Sequence, residues 1–382
     1  MTLKKLLPRA AVAALAALLG GAATAQAASK APGGHVFVIV LENQDYDVSF
    51  GAQSGAPYLS RELPQQGALL THYYGIAHHS LGNYIAMISG QSPNKDTQAD
   101  CRDFAEFKAA QPQLDSDGQA HGTGCVYPKW VPTLSGQLDA AGLTWRAYME
   151  DMGNDPAREA QSCAHPAIGA EDNTHRATVH DQYATRHNPF MYFHAIIDDA
   201  SGCAQRVVNL KQLSSDLANA SSTPNFAFIT PNLCNDGHDS FCANHEPGGL
   251  PRADRFLQQW VPQIIHSPAF GQDGILIITF DESATFGGKD QACCGEAGHP
   301  GPNTKQPGIS SAGGGRVGAI VLSSRYVKPN TRSDTPYNHY SLLRTVEDLF
   351  GLPHLGYAAL ADVKPFGADV FGAANPYSLR RN

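Results

Sequence analysis

The segment ILIITFDE, residues 275–282, combines a short apolar run with two acids that directly follow it. A run of this kind is typical of a strand that is buried on both faces of a parallel sheet. Two other segments repeat the pattern: HVFVIVLEN at residues 35–43, and NFAFIT at residues 225–230, which Asp236 follows. In open α/β sheets, ligands bind at the carboxyl ends of the strands. Acids that meet at this edge repel one another, so a bound cation is the simplest reason for them to gather there.

The rest of the chain alternates strand patterns with helix patterns. Further strands are predicted within residues 68–76, 143–149 and 316–322. Helices are predicted at residues 80–89, 133–141, 252–266 and 340–350. This alternation predicts an α/β fold with a mostly parallel central sheet and helices on both of its faces. The polar stretches 91–128 and 151–204 break the alternation and are expected to be loop insertions held by disulfides.

The N-terminus has the three regions of a secretory signal peptide. Three basic residues precede an apolar stretch at residues 10–19, and small residues follow it. We expect residues 1–27 to be removed and the mature protein to be exported, either periplasmic or secreted. Residues 28–382 are expected to form a single domain without stable membrane insertion, because no other apolar run is long enough to cross a bilayer. The formal net charge of −8 argues against nucleic acid as a partner.

The chain contains eight cysteines, an even number that favours disulfides in an exported protein. Sequence does not choose among the many pairings, but Cys101 with Cys125 and Cys234 with Cys242 are the candidates that lie close along the chain. The adjacent cysteines at 293–294 are expected to have separate partners rather than to pair with each other. A zinc site is the alternative, although no C-x-x-C pair with matching partners is present.

Two short segments offer groups that could do chemistry. Ser80 lies at the predicted start of a helix, three residues before Asn83. A helix N-terminus presents free N–H groups and partial positive charge, which suit a phosphate beside the serine oxygen. Serine is also simply a favoured helix-capping residue, and this alternative stays open. Glu42 and Asn43 supply hard oxygen donors for a divalent cation, or else form a turn after the strand.

Sixteen histidines are present, and most are expected to be packing or surface residues. His238 and His339 stand out because imidazole beside acids or at the start of an element suits metal binding or acid–base work near neutral pH. The histidines assigned to packing or to the surface are His72, His121, His165, His175, His180, His187, His194 and His354.

Five segments occur in a characteristic order: ENQDYDVSFG (42–51), HHSLGNYIAMISG (78–90), NLCNDGHD (232–239), TFDESATFGG (279–288) and YNHYSLLRTVEDLFGLP (337–353). Together they resemble the phosphoesterase family of secreted bacterial acid phosphatases and phospholipases C, which belongs to the alkaline phosphatase superfamily. The length resembles the acid phosphatase branch, which includes phosphatases acting on phosphoinositides. The resemblance implies an alkaline phosphatase-like fold and a phosphoric ester hydrolase with one phosphoesterase catalytic domain at residues 28–382.

The resemblance also implies roles for individual residues. Ser80 would be the nucleophile, and it would form a phosphoserine intermediate during the hydrolysis of small or lipid phosphomonoesters. His238 and His339 would act as catalytic residues and line the phosphate pocket with Asn83 and with His79 or His78. His299 is carried over only weakly, because the family pattern is disturbed around it. The metal ligands would be Glu42, Asn43, Ser80, Asp281 and Glu282.

The identity of the divalent cation stays open at this point. Oxygen ligands suit magnesium, calcium or manganese, whereas histidine participation would admit zinc or iron. Two other functions also remain: a phospholipase C-type phosphodiesterase, and an exported, non-enzymatic calcium-binding protein. A sulfatase is set aside because the expected C-x-P-x-R segment is missing.

Overall fold

The computed structural model describes residues 1–2, 34–284, 290–294, 311–374 and 376. Within these residues the strands are β1 (Val36–Leu41), β2 (Ala68–Leu70), β3 (Tyr73–Tyr74), β4 (Lys108–Ala109), β5 (Gly122–Thr123), β6 (Trp145–Met149), β7 (Val207–Asn209), β8 (Phe226–Thr230), β9 (Ile275–Phe280), β10 (Ala319–Leu322), β11 (Thr331–Ser333) and β12 (Tyr337–Asn338). The predicted signal peptide, apart from its first two residues, and His299 lie outside the described residues.

A central sheet has the strand order β11-β2-β10-β9-β1-β8-β6-β7. β10 is antiparallel to both of its neighbours, β9 and β2, while the other neighbouring strands run parallel. The mostly parallel α/β sheet predicted from the sequence is therefore confirmed. β1 lies between β8 and β9, and every residue of these three strands is buried. Because the three strands are parallel neighbours, the segments that follow them emerge side by side at one edge.

The helices are α1 (Tyr46–Ser49), α2 (Leu63–Gln66), α3 (Ser80–Ser89), α4 (Leu134–Ala140), α5 (His194–Ile197), α6 (Ala200–Arg206), α7 (Leu213–Asp216), α8 (Leu250–Ile265), α9 (Pro268–Asp273), α10 (His339–Phe350) and α11 (Ala368–Phe371). Shorter helical turns lie at Tyr58–Glu62, Asn173–His175, Thr185–His187, Pro189–Tyr192, Leu210–Gln212, Gly356–Ala359 and Gly372–Ala374. Within the described ranges, no helix is both long enough and apolar enough to pass through a bilayer.

The ends of the predicted helices follow local chemistry. Thr133 caps α4 by accepting a hydrogen bond from the N–H of Gly136 at 3.2 Å. Gly90 ends α3 in the left-handed region at φ +68°, where a Cβ atom would come within 2.2 Å of the Leu355 carbonyl oxygen. Both features are the helix start and stop signals expected from the sequence.

The two polar insertions are largely irregular, and disulfides hold them. Cys101 pairs with Cys125, and Cys163 pairs with Cys203, so each insertion carries one bridge. A third bridge joins Cys234 to Cys242, which confirms both candidate pairings. The expectation for residues 293–294 was wrong, because these adjacent cysteines pair with each other.

Glu347, on the buried face of α10, is expected to reduce stability at alkaline pH. Its Oε1 accepts a hydrogen bond from the N–H of Leu355 at 2.9 Å, while its Oε2 has no hydrogen-bond partner in the described structure. Burial raises the pKa of the carboxyl to about 9. The folded state therefore keeps a proton that the unfolded chain releases near pH 4.5, and stability falls as pH rises from there to about 9.

Glu347→Gln removes this titration while keeping the carbonyl that accepts from Leu355. We expect the variant to exceed the wild type in stability at pH 8 by on the order of 3 kcal/mol, and by much less at pH 5. Denaturant unfolding at the two pH values measures the difference. A variant that is destabilised equally at both would show that the Glu347 side chain is ionised in the folded protein.

Candidate active site

Three acids meet where the central parallel strands end. Glu42 directly follows β1, Asp281 directly follows β9, and Asp236 lies in the loop after β8. The N–H of Glu42 donates to the Asp236 carbonyl oxygen at 2.8 Å, and the N–H of Asp281 donates to the Leu41 carbonyl oxygen at 2.9 Å. Together with Glu282, these residues are at most 1% exposed, and we call them the acid cluster. The structure brings these acids together at this edge of the sheet, as the sequence predicted.

Ser80 points into the acid cluster. It is the first residue of α3, and its Oγ donates a hydrogen bond to Glu42 Oε2 at 2.9 Å. The capping position is held by His79, whose φ of +74° is unusual for a residue with a side chain and costs backbone strain. Ser80 therefore does not cap the helix. Asp100 accepts a hydrogen bond from the N–H of Leu81 at 3.1 Å, so one of the free N–H groups of α3 is already paired.

The second carboxylate oxygen of Glu42 is also held. Tyr84 lies one turn after Ser80 on α3, and its hydroxyl donates to Glu42 Oε1 at 2.7 Å. His187 Nε2 lies 3.3 Å from the same oxygen, a close contact without hydrogen-bond geometry. The Tyr84 and His187 rings are stacked with their centroids 5.3 Å apart. These contacts fix the orientation of the carboxylate that faces Ser80.

A buried arginine positions the insertion that carries His187. The guanidinium of Arg158 donates to the carbonyl oxygens of Thr174 and Tyr183 and pairs with Asp181 at 2.6 Å. These bonds clamp the start and the end of residues 174–183, just before the turn that contains His187. The position of His187 thus depends on contacts inside the insertion.

Asp281 and Glu282 are anchored by their surroundings but keep unpaired oxygens. Asp281 Oδ1 accepts the N–H groups of Asn43 at 3.0 Å and Glu282 at 2.7 Å. Nδ1 of His78 is hydrogen-bonded to Glu282 Oε2. Asp281 Oδ2, Glu282 Oε1 and Asn43 Oδ1 are buried without a hydrogen-bond partner in the described structure, and so is Oδ2 of Asp236. Buried acceptors normally have a bonding partner, so a hydrogen-bond donor or a cation is expected beside these four oxygens.

Burial and mutual repulsion make the acid cluster hard to ionise. Burial, followed by the charges of Asp281 and Asp236, raises the pKa of Glu42 well above its ordinary value. Burial raises the pKa of Asp281 to about 7, although the N–H groups of Asn43 and Glu282 and the Ser80 hydroxyl oppose the rise. For Asp236, burial raises the pKa to about 8. A cation would favour the charged form of each carboxyl.

The donor chemistry fits a divalent cation, because the unpaired atoms are the carboxylate and amide oxygens that hard cations prefer. Among the residues that the structure describes, no three His, Cys, Asp or Glu side chains already form a metal-binding group. The fit therefore rests on the unpaired oxygens and on the repulsion between the acids. Magnesium, calcium or manganese suit such oxygens, and zinc becomes an alternative if the nearby His187 participates.

The side chains of two residues predicted for the phosphate pocket form hydrogen bonds to other groups of the protein. His339 is fully buried, with Nδ1 3.0 Å from the Tyr73 hydroxyl and Nε2 on the Asp281 carbonyl oxygen. Burial lowers its pKa to about 4. Asn83 uses its side chain to hold residues 76–79, accepting from two N–H groups and donating to two carbonyl oxygens. Their direct roles toward phosphate stay predictions, and in the structure both support the backbone around Ser80 and Asp281.

The remaining predicted histidines differ in exposure. His238 has a side chain that is 46% exposed, and the backbone N–H of His238 donates to Asp236 Oδ1 at 2.9 Å. His79 has a side chain that is 52% exposed and lies 3.9 Å from Asp100. His78, by contrast, is buried against Glu282. His238 is thus the predicted histidine that combines contact with the acid cluster and access to solvent.

Sequence reasoning did not assign Tyr84, His187 or Asp236 to the site. Tyr84 had a usable signal, because residues four apart share one face of a helix. Asp236 also had a usable signal, because it lies in the segment NLCNDGHD (232–239), which follows the strand predicted at residues 225–230. His187 had no local signal, because it lies in an insertion without periodicity and was assigned to packing.

Comparisons with known proteins agree with the resemblance seen in the motifs. The chain is 28% identical over 326 residues to the "Probable acid phosphatase" of Kluyveromyces lactis, which covers 84% of this chain and 59% of that protein. It is 24% identical over 338 residues to the "Phosphatidylinositol-3-phosphatase" of Mycobacterium tuberculosis, which covers 88% of this chain and 83% of that protein. The chain therefore spans less than two thirds of the length of the yeast relative.

Among solved structures, a protein in the alkaline phosphatase superfamily from Vibrio parahaemolyticus is similar with a TM-score of 0.49 and 14% identity, covering 88% of this chain and 71% of that chain. A family model described as "Phosphoesterase family" matches residues 56–353, which is well over half of the sequence. The chain belongs to the Phosphoesterase family.

Proposed function

We propose that the chain is an exported phosphomonoesterase whose nucleophile is Ser80. The observation that carries the proposal is the 2.9 Å hydrogen bond from Ser80 Oγ to Glu42 Oε2, at a helix start and inside the acid cluster. Relatives named as acid phosphatases support hydrolysis of phosphate monoesters. The disulfides of the two insertions support export, because such bonds persist in oxidising compartments.

The first half of the reaction transfers the phosphoryl group to Ser80. As Oγ forms its bond to phosphorus, the bond to the leaving oxygen breaks in line. The Ser80 proton passes to Glu42 Oε2, which Tyr84 and His187 hold in orientation. The leaving alcohol oxygen departs with the electron pair and takes a proton, for which His238 is the donor that we propose.

The second half returns the enzyme to its starting state. A water oxygen attacks the phosphoserine and passes a proton to His238, which lost one in the first half. The bond between Ser80 Oγ and phosphorus breaks, and inorganic phosphate leaves. Ser80 Oγ recovers a proton from Glu42. His339 and Asn83 act as positioning residues in this scheme, since their side chains hold the backbone at Asp281 and at residues 76–79.

A divalent cation, when bound, would balance the acid cluster and lower the pKa of the Ser80 hydroxyl. Its proposed ligands are those implied by the family resemblance: Glu42, Asn43, Ser80, Asp281 and Glu282. The unpaired oxygens of Asn43, Asp281 and Glu282 support this set.

The proposed substrates are small phosphate monoesters and phosphoinositide headgroups. The relative named as a phosphatidylinositol-3-phosphatase, of which the chain covers 83%, supports the second class. A panel of p-nitrophenyl phosphate, bis(p-nitrophenyl) phosphate, phosphatidylinositol 3-phosphate and phosphatidylcholine vesicles separates the alternatives. Faster turnover of phosphatidylcholine would identify a phospholipase C instead. Absence of all turnover, with melting that depends on calcium, would identify a binding protein.

Removal of the cation is expected to abolish activity reversibly. Treatment with a chelator should lower turnover of p-nitrophenyl phosphate by at least about 100-fold, because the acid cluster then loses its counter-charge. Addition of magnesium, calcium, manganese or zinc, each tested alone, should restore turnover with the metal that fits. Full activity in protein shown by elemental analysis to be free of metal would contradict the cation role.

A further inference from the structure

An arginine that the sequence did not single out lies next to His187, whose Nε2 is 3.3 Å from Glu42 Oε1. Arg186 directly precedes His187 in the helical turn Thr185–His187, so it enters the site on the same insertion. Its charge acts on the carboxyls of Glu42 and Asp236 and on the imidazole of His238. The guanidinium therefore lies within electrostatic range of the groups around the Ser80 oxygen.

Among the described residues, Arg186 has no hydrogen-bond or ion-pair partner. Its side chain is half-buried, Nη1 is buried without a hydrogen-bond acceptor, and no carboxylate of the described residues forms an ion pair with it. The other arginine of this insertion with a buried side chain, Arg158, pairs with Asp181 and donates from both Nη atoms to protein oxygens, and only its Nε is left without an acceptor. A buried guanidinium nitrogen without an acceptor is costly unless a ligand supplies one.

A phosphate group is the ligand that matches this guanidinium. The planar fork of arginine binds two oxygens of a phosphate at once, and such charge-assisted bonds are strong where water is excluded. A monoester dianion carries more charge and one more unsubstituted oxygen than a diester. An additional cationic donor therefore benefits the monoester more than the diester.

We propose that Arg186 binds the non-bridging oxygens of the substrate phosphate and makes the site selective for monoesters over diesters. The proposal rests on the proposed function and deepens it. The acid cluster would hold the cation on one side of the phosphate, while Arg186 would hold the oxygens on the side of the insertion. The insertion would then contribute directly to substrate recognition.

Turnover of two substrates by Arg186→Gln and Arg186→Lys tests the proposal. We expect Arg186→Gln to lower kcat/KM for p-nitrophenyl phosphate by at least about 100-fold. Turnover of bis(p-nitrophenyl) phosphate should fall by less than about 10-fold, so that the monoester-to-diester ratio shifts at least about 10-fold. Arg186→Lys keeps the charge but loses the fork, and should recover only part of the loss. Full activity of Arg186→Lys, or an unchanged ratio in Arg186→Gln, would overturn the proposal.

Inorganic phosphate gives a readout that does not need turnover. It should raise the melting temperature of the wild type and have little effect on Arg186→Gln. The control is Arg206→Gln, which removes a half-buried arginine that packs over Trp145 and pairs with Asp139. The control should respond to phosphate as the wild type does. If the wild type lacks turnover but phosphate stabilises it through Arg186, the proposed function fails while the binding site stands. If phosphate stabilised Arg186→Gln as much as the wild type, Arg186 would not be part of a phosphate-binding site.

Discussion

Ser80→Ala is expected to lower the turnover of p-nitrophenyl phosphate by at least about 1000-fold while the protein stays folded. The reason is that Ser80 Oγ is the one atom of this side chain that would bond to phosphorus, and alanine removes it. The lost hydrogen bond to Glu42 is a smaller effect, because Tyr84 still donates to the same carboxylate. Steady-state kinetics and the melting temperature, measured on the same preparation, separate a lost nucleophile from a lost fold.

Ser89→Ala provides the matched control for this experiment. Ser89 lies on the same helix and is also buried, but its hydroxyl donates to the Ile85 carbonyl oxygen at 2.7 Å. The control should keep near-normal turnover, because Ser89 is at the opposite end of α3. If Ser80→Ala retained activity comparable to Ser89→Ala, the serine would be a structural residue and the mechanism would be wrong.

Asp281→Asn should abolish activity and at the same time stabilise the metal-free protein at neutral pH. Asparagine keeps an oxygen for the N–H groups of Asn43 and Glu282 but removes a charge from the acid cluster. Elemental analysis should find that the variant no longer retains a divalent cation, and turnover should fall by at least about 100-fold. A loss of activity together with a gain in stability indicates that the charge of Asp281 is needed for function although it destabilises the fold.

The sign of the stability change follows from the raised pKa of Asp281. In the metal-free folded state burial raises this pKa to about 7, whereas the unfolded chain releases the proton near its ordinary value. Wild-type stability in chelator therefore falls as pH rises from about 4 to about 7. Asp281→Asn lacks this loss and should be more stable at pH 7 by about 2 kcal/mol.

Asp254→Asn is the control for Asp281→Asn. Asp254 is a buried aspartate on α8 that also accepts two backbone N–H groups, that of Tyr58 at Oδ2 and that of Leu59 at Oδ1. We expect this variant to keep both its cation and its activity. Loss of the cation from both variants would point to general unfolding, and retention by Asp281→Asn would exclude Asp281 from the metal site.

The central part of the fold follows from the sequence because each element carries its own signal. The apolar runs at residues 35–41, 225–230 and 275–280 predict strands, and parallel pairing brings Glu42 and Asp281 together without further information. Ser80 was placed at a helix start, and the structure begins α3 at that residue. These predictions depend on periodicity and on one general property of parallel sheets.

The rest of the site depends on contacts that are distant along the chain. His187 and Arg186 lie in an insertion whose path is set by Arg158 and by a disulfide rather than by periodicity. The orientation of Asn83 toward the backbone also has no sequence signal, because an amide suits a phosphate equally well. For residues 293–294, the expectation of separate partners relied on general geometry, which disfavours a bond between neighbours, yet the structure contains that bond.

The most direct test of the central claim is to stop the reaction with acid during turnover of a phosphate monoester and to map the protein by mass spectrometry. The account predicts one added phosphoryl group on the peptide that contains Ser80, and none on that peptide in Ser80→Ala. Turnover by the wild type without a phosphorylated Ser80, or with the phosphoryl group on His238 instead, would contradict it.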